Sequence, residues 1–136
     1  MLEILGFFEI GRYSNLAASD WSWASMIFDL NNDGYRDIFI ANGIYKDLLD
    51  RDYLAYMANQ ERISNIINSE KEPITKLIDI MPSSPIPNYV YKNNGEFNFD
   101  FINEKWGFET PSFSNGMSYA DLDNDGDLDI VINNVN

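Results

Sequence analysis

Asp121-Leu122-Asp123-Asn124-Asp125-Gly126-Asp127-Leu128-Asp129-Ile130 sets five aspartates at alternate positions around one glycine, and an apolar run, Ile130-Val131-Ile132, follows at once. Like charges this close repel, and an ordinary turn does not ask for five of them. A hard cation does: Ca²⁺ takes roughly six to eight oxygen ligands from carboxylates, carbonyls and water, and a tight loop presents them at alternate positions. The same grammar stands earlier, in Asp29-Leu30-Asn31-Asn32-Asp33-Gly34-Tyr35-Arg36-Asp37-Ile38, again leading into an apolar pair, Phe39-Ile40. Two such loops, each entering a strand-like segment, make a repeat.

Numbered from its first aspartate, each loop offers side-chain oxygens at positions one, three, five and nine. These are Asp29, Asn31, Asp33 and Asp37 in the first loop and Asp121, Asp123, Asp125 and Asp129 in the second. Position seven, Tyr35 or Asp127, contributes its backbone carbonyl, as the seventh position does in other calcium loops. Glycine at position six allows the sharp turn that lets positions five and seven face one ion. These residues are the predicted ligands of two Ca²⁺ ions. An EF-hand is excluded, because its loop closes with an acidic residue at position twelve between two helices. Here position twelve is Ile40 or Ile132, inside a strand-like run. The first loop is the expected weaker site, since Asn31 replaces a carboxylate and Arg36 stands beside Asp37, and affinity follows ligand charge. A metal-free turn of Asp, Asn and Gly is the competing reading; two copies in one ligand register argue against it.

The chain has 136 residues, 45% hydrophobic and 15% aromatic, enough for one domain with a core. Nine basic against twenty-two acidic residues give −13, which argues against nucleic-acid or anionic-membrane binding. Two bound Ca²⁺ would bring that charge to −9. With no cysteine there is no disulfide or thiolate site, and with no histidine the commonest general base and most zinc sites are gone. The opening Met1-Leu2-Glu3-Ile4-Leu5-Gly6-Phe7-Phe8 lacks a basic n-region and is not read as a signal peptide. No stretch approaches the ~20 apolar residues of a membrane span. The chain is expected either to stay inside a cell or to be an internal piece of a longer exported protein.

Along the chain, aromatic residues 7–13 read as a strand and 14–20 as a loop. Residues 21–28 run into the first acidic loop, and Asp37–Asn42 leaves it as a strand that Asn42-Gly43 ends. Residues 45–81 change character, with Leu48, Leu49, Tyr53, Tyr56 and Met57, then Ile63, Ile66 and Ile67, near helical spacing. Asp47 is the predicted N-cap, Pro73 opens a last helix carrying Ile74, Leu77, Ile78 and Met81, and the Pro82–Pro87 stretch stops it. This is a helical insertion of two or three helices, whose apolar stripe is expected to pack onto its own sheet. Strands resume at 88–92 and 97–101 around Asn93-Asn94-Gly95, a hairpin turn signal. A loop through Gly107 and Pro111 leads to 116–120, the second acidic loop, and a strand at 128–133. The loops begin 92 residues apart, and without the 37 residues of the insertion 55 remain, about one four-stranded propeller blade.

Asp-x-Asp/Asn-x-Asp-Gly-x-x-Asp-Ile between strands resembles the FG-GAP/VCBS repeat of calcium-binding β-propellers. That repeat is found in integrin alpha-chain propellers and in bacterial exported proteins of the ASPIC/UnbV group. Tyr89-Val90-Tyr91-Lys92-Asn93-Asn94-Gly95-Glu96-Phe97-Asn98-Phe99 is similar to the family's strand, Asn-Asn-Gly turn and Phe-x-Phe strand, and Trp21-Ser22-Trp23-Ala24 and Ser114-Asn115-Gly116-Met117-Ser118 stand where its inner strand begins. The likeness covers about 7–44 and 88–136. It implies a mainly β fold of propeller blades with an α-helical insertion, a single partial propeller domain over 1–136. In it, 45–81 is the insertion and 82–136 completes one blade and starts the next. On that template 7–13 ends a preceding blade, 23–28, 37–42, 89–92 and 97–101 form a whole one, and 117–120 and 128–133 begin another. Closing a propeller takes roughly four to eight blades, so the chain is expected to be a piece of a longer one, with the remaining blades as partners.

No Gly-x-Ser-x-Gly elbow, phosphate loop or His-Glu-x-x-His motif is present, so the chain itself reads as a non-enzyme. Asp47, Asp50 and Asp52 fit a helix start, where the dipole favours acids. Trp21, Trp23, Tyr45 and Trp106 can stack on sugars or on a partner, though core or interface packing is the simpler reading. The resemblance implies a secreted or cell-surface protein acting in binding or adhesion, with a protein or glycan ligand, and neither nucleic-acid binding nor membrane insertion. The alternative is a propeller or accessory domain of a carbohydrate-active enzyme.

Overall fold

The computed structural model describes Gly6 and residues 8–135. It is mainly β, with two antiparallel sheets and four helices. The strands β1 (Ser22–Phe28), β2 (Asp37–Asn42), β3 (Tyr89–Asn93) and β4 (Phe99–Phe101) form one sheet in chain order. The strands β5 (Ser114–Ala120) and β6 (Asp129–Asn134) form a separate hairpin. The four-stranded meander joins the segments expected to make one blade. Such sheets bury one face and need something to cover it. Phe28, Phe39, Val90 and Ile102 form that buried core, and Met117, Ile130 and Ile132 of the second hairpin pack against it with Trp106 and Phe108. Phe28 stacks on Tyr119 with ring centroids 4.5 Å apart, and Phe39 meets Phe108 edge-on at 5.0 Å. Such pairs add specificity of approach beyond the area they bury.

The two hairpins repeat each other in detail. Each carries an irregularity after its first residue pair, at Ser22/Ala24 and at Ser114/Gly116. Ser22 Oγ donates to Asn42 Oδ1 at 3.1 Å, and Ser114 Oγ donates to Asn134 Oδ1 at 2.8 Å. Past each far end the ladder continues with Gly43 N–H to Trp21 O and Val135 N–H to Phe113 O. Gly43 cannot be another residue here: its φ is +121°, and a Cβ would lie 2.3 Å from the Ser112 carbonyl oxygen. Buried amides tie the strands together from the side. Asn103 Oδ1 accepts from Val90 N–H at 2.8 Å while its Nδ2 donates to Asn88 O, and Asn88 Oδ1 accepts from Asn42 N–H. Each satisfies a backbone group that would otherwise be buried unpaired.

The insertion holds α1 (Arg51–Met57), α2 (Gln60–Ser69) and α3 (Pro73–Asp79), with Pro73 in the first turn as expected. Its stem is closed by the paired Ile44 and Ser84 and by Asp47 N–H donating to Pro82 O. Three expectations fail in it. The N-cap of α1 is Asp50, which accepts from Tyr53 N–H at 2.8 Å, whereas Asp47 closes a tight turn on Leu49 N–H. Leu48 and Leu49 therefore precede the helix and stand exposed. The apolar stripe does not pack onto the sheet: the helices touch one another, only Tyr53 of α1 is buried, and Leu54, Ile67, Ile74 and Ile78 remain exposed.

Other boundaries also shift. Residues 8–10 form no strand and 11–15 form turns, since Ser14 N–H and Leu16 N–H bond back to Ile10 O and Gly11 O; Phe7 lies outside the described residues. A strand needs a neighbour, and the ladder offers none there. Strand β4 starts at Phe99 because Gly95, Glu96 and Phe97 all take positive φ to turn the chain. The expected loop after β4 contains a short helix, α4 (Asn103–Trp106), capped by left-handed Gly107. Among the described residues no helix is long and apolar enough to cross a membrane.

Candidate metal centre

Both acidic loops link the two strands of a hairpin, β1 to β2 and β5 to β6, and four backbone hydrogen bonds recur position for position. Asp33 N–H and Gly34 N–H donate to the two oxygens of Asp29 at 3.0 and 2.8 Å, as Asp125 N–H and Gly126 N–H do to Asp121 at 3.1 and 3.0 Å. Tyr35 N–H donates to Asp33 Oδ1 at 3.0 Å, and Asp127 N–H to Asp125 Oδ1 at 2.9 Å. Leu30 N–H reaches across to Asp37 Oδ2 at 3.1 Å, and Leu122 N–H to Asp129 Oδ2 at 3.0 Å. The carboxylates at positions one, five and nine thus act first as acceptors that wind the loop. Left-handed residues at positions four and six supply the turns, Asn32 (φ 56°) and Gly34 (φ 88°) in one loop, Asn124 (φ 62°) and Gly126 (φ 94°) in the other.

In the second loop Asp121, Asp123 and Asp129 bring one carboxylate oxygen each within 4.8 Å of one another, all exposed. Oxygen donors without nitrogen or sulfur suit a hard divalent cation, so this donor set fits Ca²⁺. Asp125 and Asp127 lie on the same loop but outside that convergent trio.

The first loop brings its residues together differently. Position three is Asn31, so the trio of positions one, three and nine carries two carboxylates and an amide there, and Asn31 Nδ2 donates to Asp33 Oδ2 at 2.9 Å. Lys92, on β3, forms an ion pair with that same oxygen. This contact first, then the Tyr35 amide, holds the Asp33 carboxyl at about 2, against an ordinary 3.8. Asp37 is buried, and its second oxygen accepts from Asn93 N–H of β3 at 2.8 Å. Burial pushes its carboxyl up from the usual range, opposed by the Asn93 and Leu30 amides. Asn93 Nδ2 also donates to Arg36 O at 3.1 Å. Strand β3 therefore clamps the first loop through Lys92 and Asn93, two residues that motif reading passed over. Their signal was in the sequence: if 89–92 pairs antiparallel with Asp37–Asn42, its far end must lie beside the loop.

The loops touch each other as well. Asn32 Nδ2 donates to Asp127 Oδ1 at 2.6 Å and lies 3.4 Å from Gly126 O. At the opposite end of the strands Trp21, Trp23, Tyr45, Leu48 and Phe113 line an open, largely apolar hollow of about 450 Å³. Trp23 Nε1 donates to Gly43 O at 2.5 Å and Tyr45 meets Phe113 edge-on at 5.4 Å. Of the four aromatics singled out from sequence, Trp106 packs on the core and the other three face this hollow.

No curated protein and no solved structure matches the chain. The family model of the FG-GAP-like repeat matches residues 77–132, which carry β3, β4, β5 and the whole second acidic loop.

Proposed function

We propose that the chain is a calcium-binding β-propeller segment of a secreted or cell-surface protein, in which Ca²⁺ stiffens the turns between strands and the segment works in binding or adhesion. The observation that carries this reading is the pair of loops with one hydrogen-bond pattern and, in the second, three converging carboxylates. Asp121, Asp123, Asp125 and Asp129 with the Asp127 carbonyl would hold one ion. Asp29, Asn31, Asp33 and Asp37 with the Tyr35 carbonyl would hold the other. Bound cations would relieve the self-repulsion of a chain carrying −13. The FG-GAP-like repeat and the four-stranded meander support the propeller. Calcium-stabilised loops suit an extracellular setting, where modules bind at roughly 10⁻⁴–10⁻³ M. The aromatic hollow, remote from the loops, offers the contact surface that adhesion needs. The acidic pairs are accounted for as cation ligands or helix-start residues, so the segment has no catalytic role in this reading.

Calorimetric titration with Ca²⁺ tests it. Two sites are expected, one removed by Asp121→Ala and the other by Asp29→Ala, with circular dichroism unchanged in chelator. Absence of any saturable heat up to several millimolar Ca²⁺ would overturn the metal assignment.

A further inference from the structure

The first loop already holds a cation belonging to the protein. Among the described residues the Lys92–Asp33 contact is the one salt bridge, and it falls on the position-five oxygen of a predicted calcium loop. Counting side chains, the first loop has three aspartates against Arg36 and Lys92, whereas the second has five aspartates and no cation of its own. Asp125, the counterpart of Asp33, accepts only from the Asp127 amide among the described residues.

We propose that Lys92 is an internal competitor for the first loop's cation: its ammonium occupies Asp33 in the metal-free chain and must surrender that oxygen before Ca²⁺ takes it. The two loops then fill in order, the second before the first. The inference rests on the reading that the loops bind Ca²⁺ and adds to it a residue that grades their affinities. Displacement of Lys92 has two costs. An exposed ion pair is opened, which is small. The ammonium, tethered by β3, also stays near a doubly charged ion, and at about 6 Å in water that repulsion amounts to roughly a tenfold loss of affinity. Salt screens the second contribution.

The test uses Asp121→Ala, which leaves the first loop as the calcium site, and compares Lys92, Lys92→Met and Lys92→Arg in it by calorimetric Ca²⁺ titration. Lys92→Met is expected to tighten binding about tenfold at low salt, with the gain shrinking in 0.5 M NaCl, and Lys92→Arg to stay within about twofold of the parent. In an Asp29→Ala background, which leaves the second loop, Lys92→Met is expected to change nothing. Should Asp121→Ala unfold, the Gly34 amide resonance gives the same comparison in the intact chain. Equal first-loop affinity for Lys92 and Lys92→Met, with Ca²⁺ binding present in both, would overturn the competition alone. Silence toward Ca²⁺ at both loops of the unmodified chain would overturn the reading on which it rests.

Discussion

The hairpins β1–β2 and β5–β6 are one structure in two settings. They share a register, a loop of the same length, the Ser–Asn bond near the open end and four hydrogen bonds inside the loop. What differs is the neighbour. Strand β2 is flanked by β3, and Asp37, Phe39, Ala41 and Asn42 are buried; at the corresponding positions of β6, Asp129, Val131, Asn133 and Asn134 are exposed. Ten residues of local sequence thus wind the loop, while the adjoining strand decides how its carboxylates are used. With β3 present, Asp37 belongs to the sheet and Asp33 to Lys92. Without such a strand among the described residues, the aspartates of the second loop stay available.

Three sets of substitutions probe that contrast, and the largest effect is on stability without metal. In chelator, Asp37→Ala is expected to cost about 3 kcal/mol, because it strands the Leu30 and Asn93 amides at a buried site. Asp129→Ala, at an exposed site, should cost under about 1 kcal/mol. Urea unfolding measures both, and equal losses would break the comparison. Next comes position three. Exchanging the residues by Asn31→Asp and Asp123→Asn should strengthen the first loop and weaken the second, each by about tenfold in Ca²⁺ affinity, if ligand charge governs. Unchanged affinities would leave the clamp by β3 as the main difference. Asn32→Ala removes the bond that joins the loops and should weaken Ca²⁺ at the second by about twofold.

The smallest expected effect is on acid stability. The Asp33 carboxyl is lowered from 3.8 to about 2, so its contribution is complete above pH 3.8 and is lost as pH falls through about 2. In chelator, Lys92→Met should lower the unfolding midpoint slightly at pH 7 and flatten its fall over that window, the two proteins converging as pH nears 2. An identical acid profile would mean that the ion pair adds nothing to stability.

Much of this was legible in the residues. Strand β2 starts and ends where the run from Asp37 to Asn42 does, Pro73 opens α3, and the Asp-x-Asp register foretold both loops. Period-two alternation and turn chemistry are local, so a linear reading finds them. The failures are long-range. Residues 8–10 look like a strand, yet strand character comes to nothing without a partner edge. The Lys92–Asn93 clamp joins residues nearly sixty positions from Asp33 and Asp37, and only sheet order brings them together. Nor does the sequence distinguish a buried Asp37 from an exposed Asp129, since the two motifs read alike. The helices' exposed Leu54, Ile67 and Ile74 show the converse, a periodic apolar stripe that finds no sheet to cover.

The most direct measurement follows the amide resonances of Gly34 and Gly126 in a chain labelled with ¹⁵N-glycine during Ca²⁺ titration. Each amide donates to the first aspartate of its own loop, so each reports one site. Both should shift and saturate, Gly126 at lower Ca²⁺ than Gly34. Two glycine amides that hold still to several millimolar Ca²⁺ in the folded chain would contradict the account, and the aspartates would then be turn residues alone.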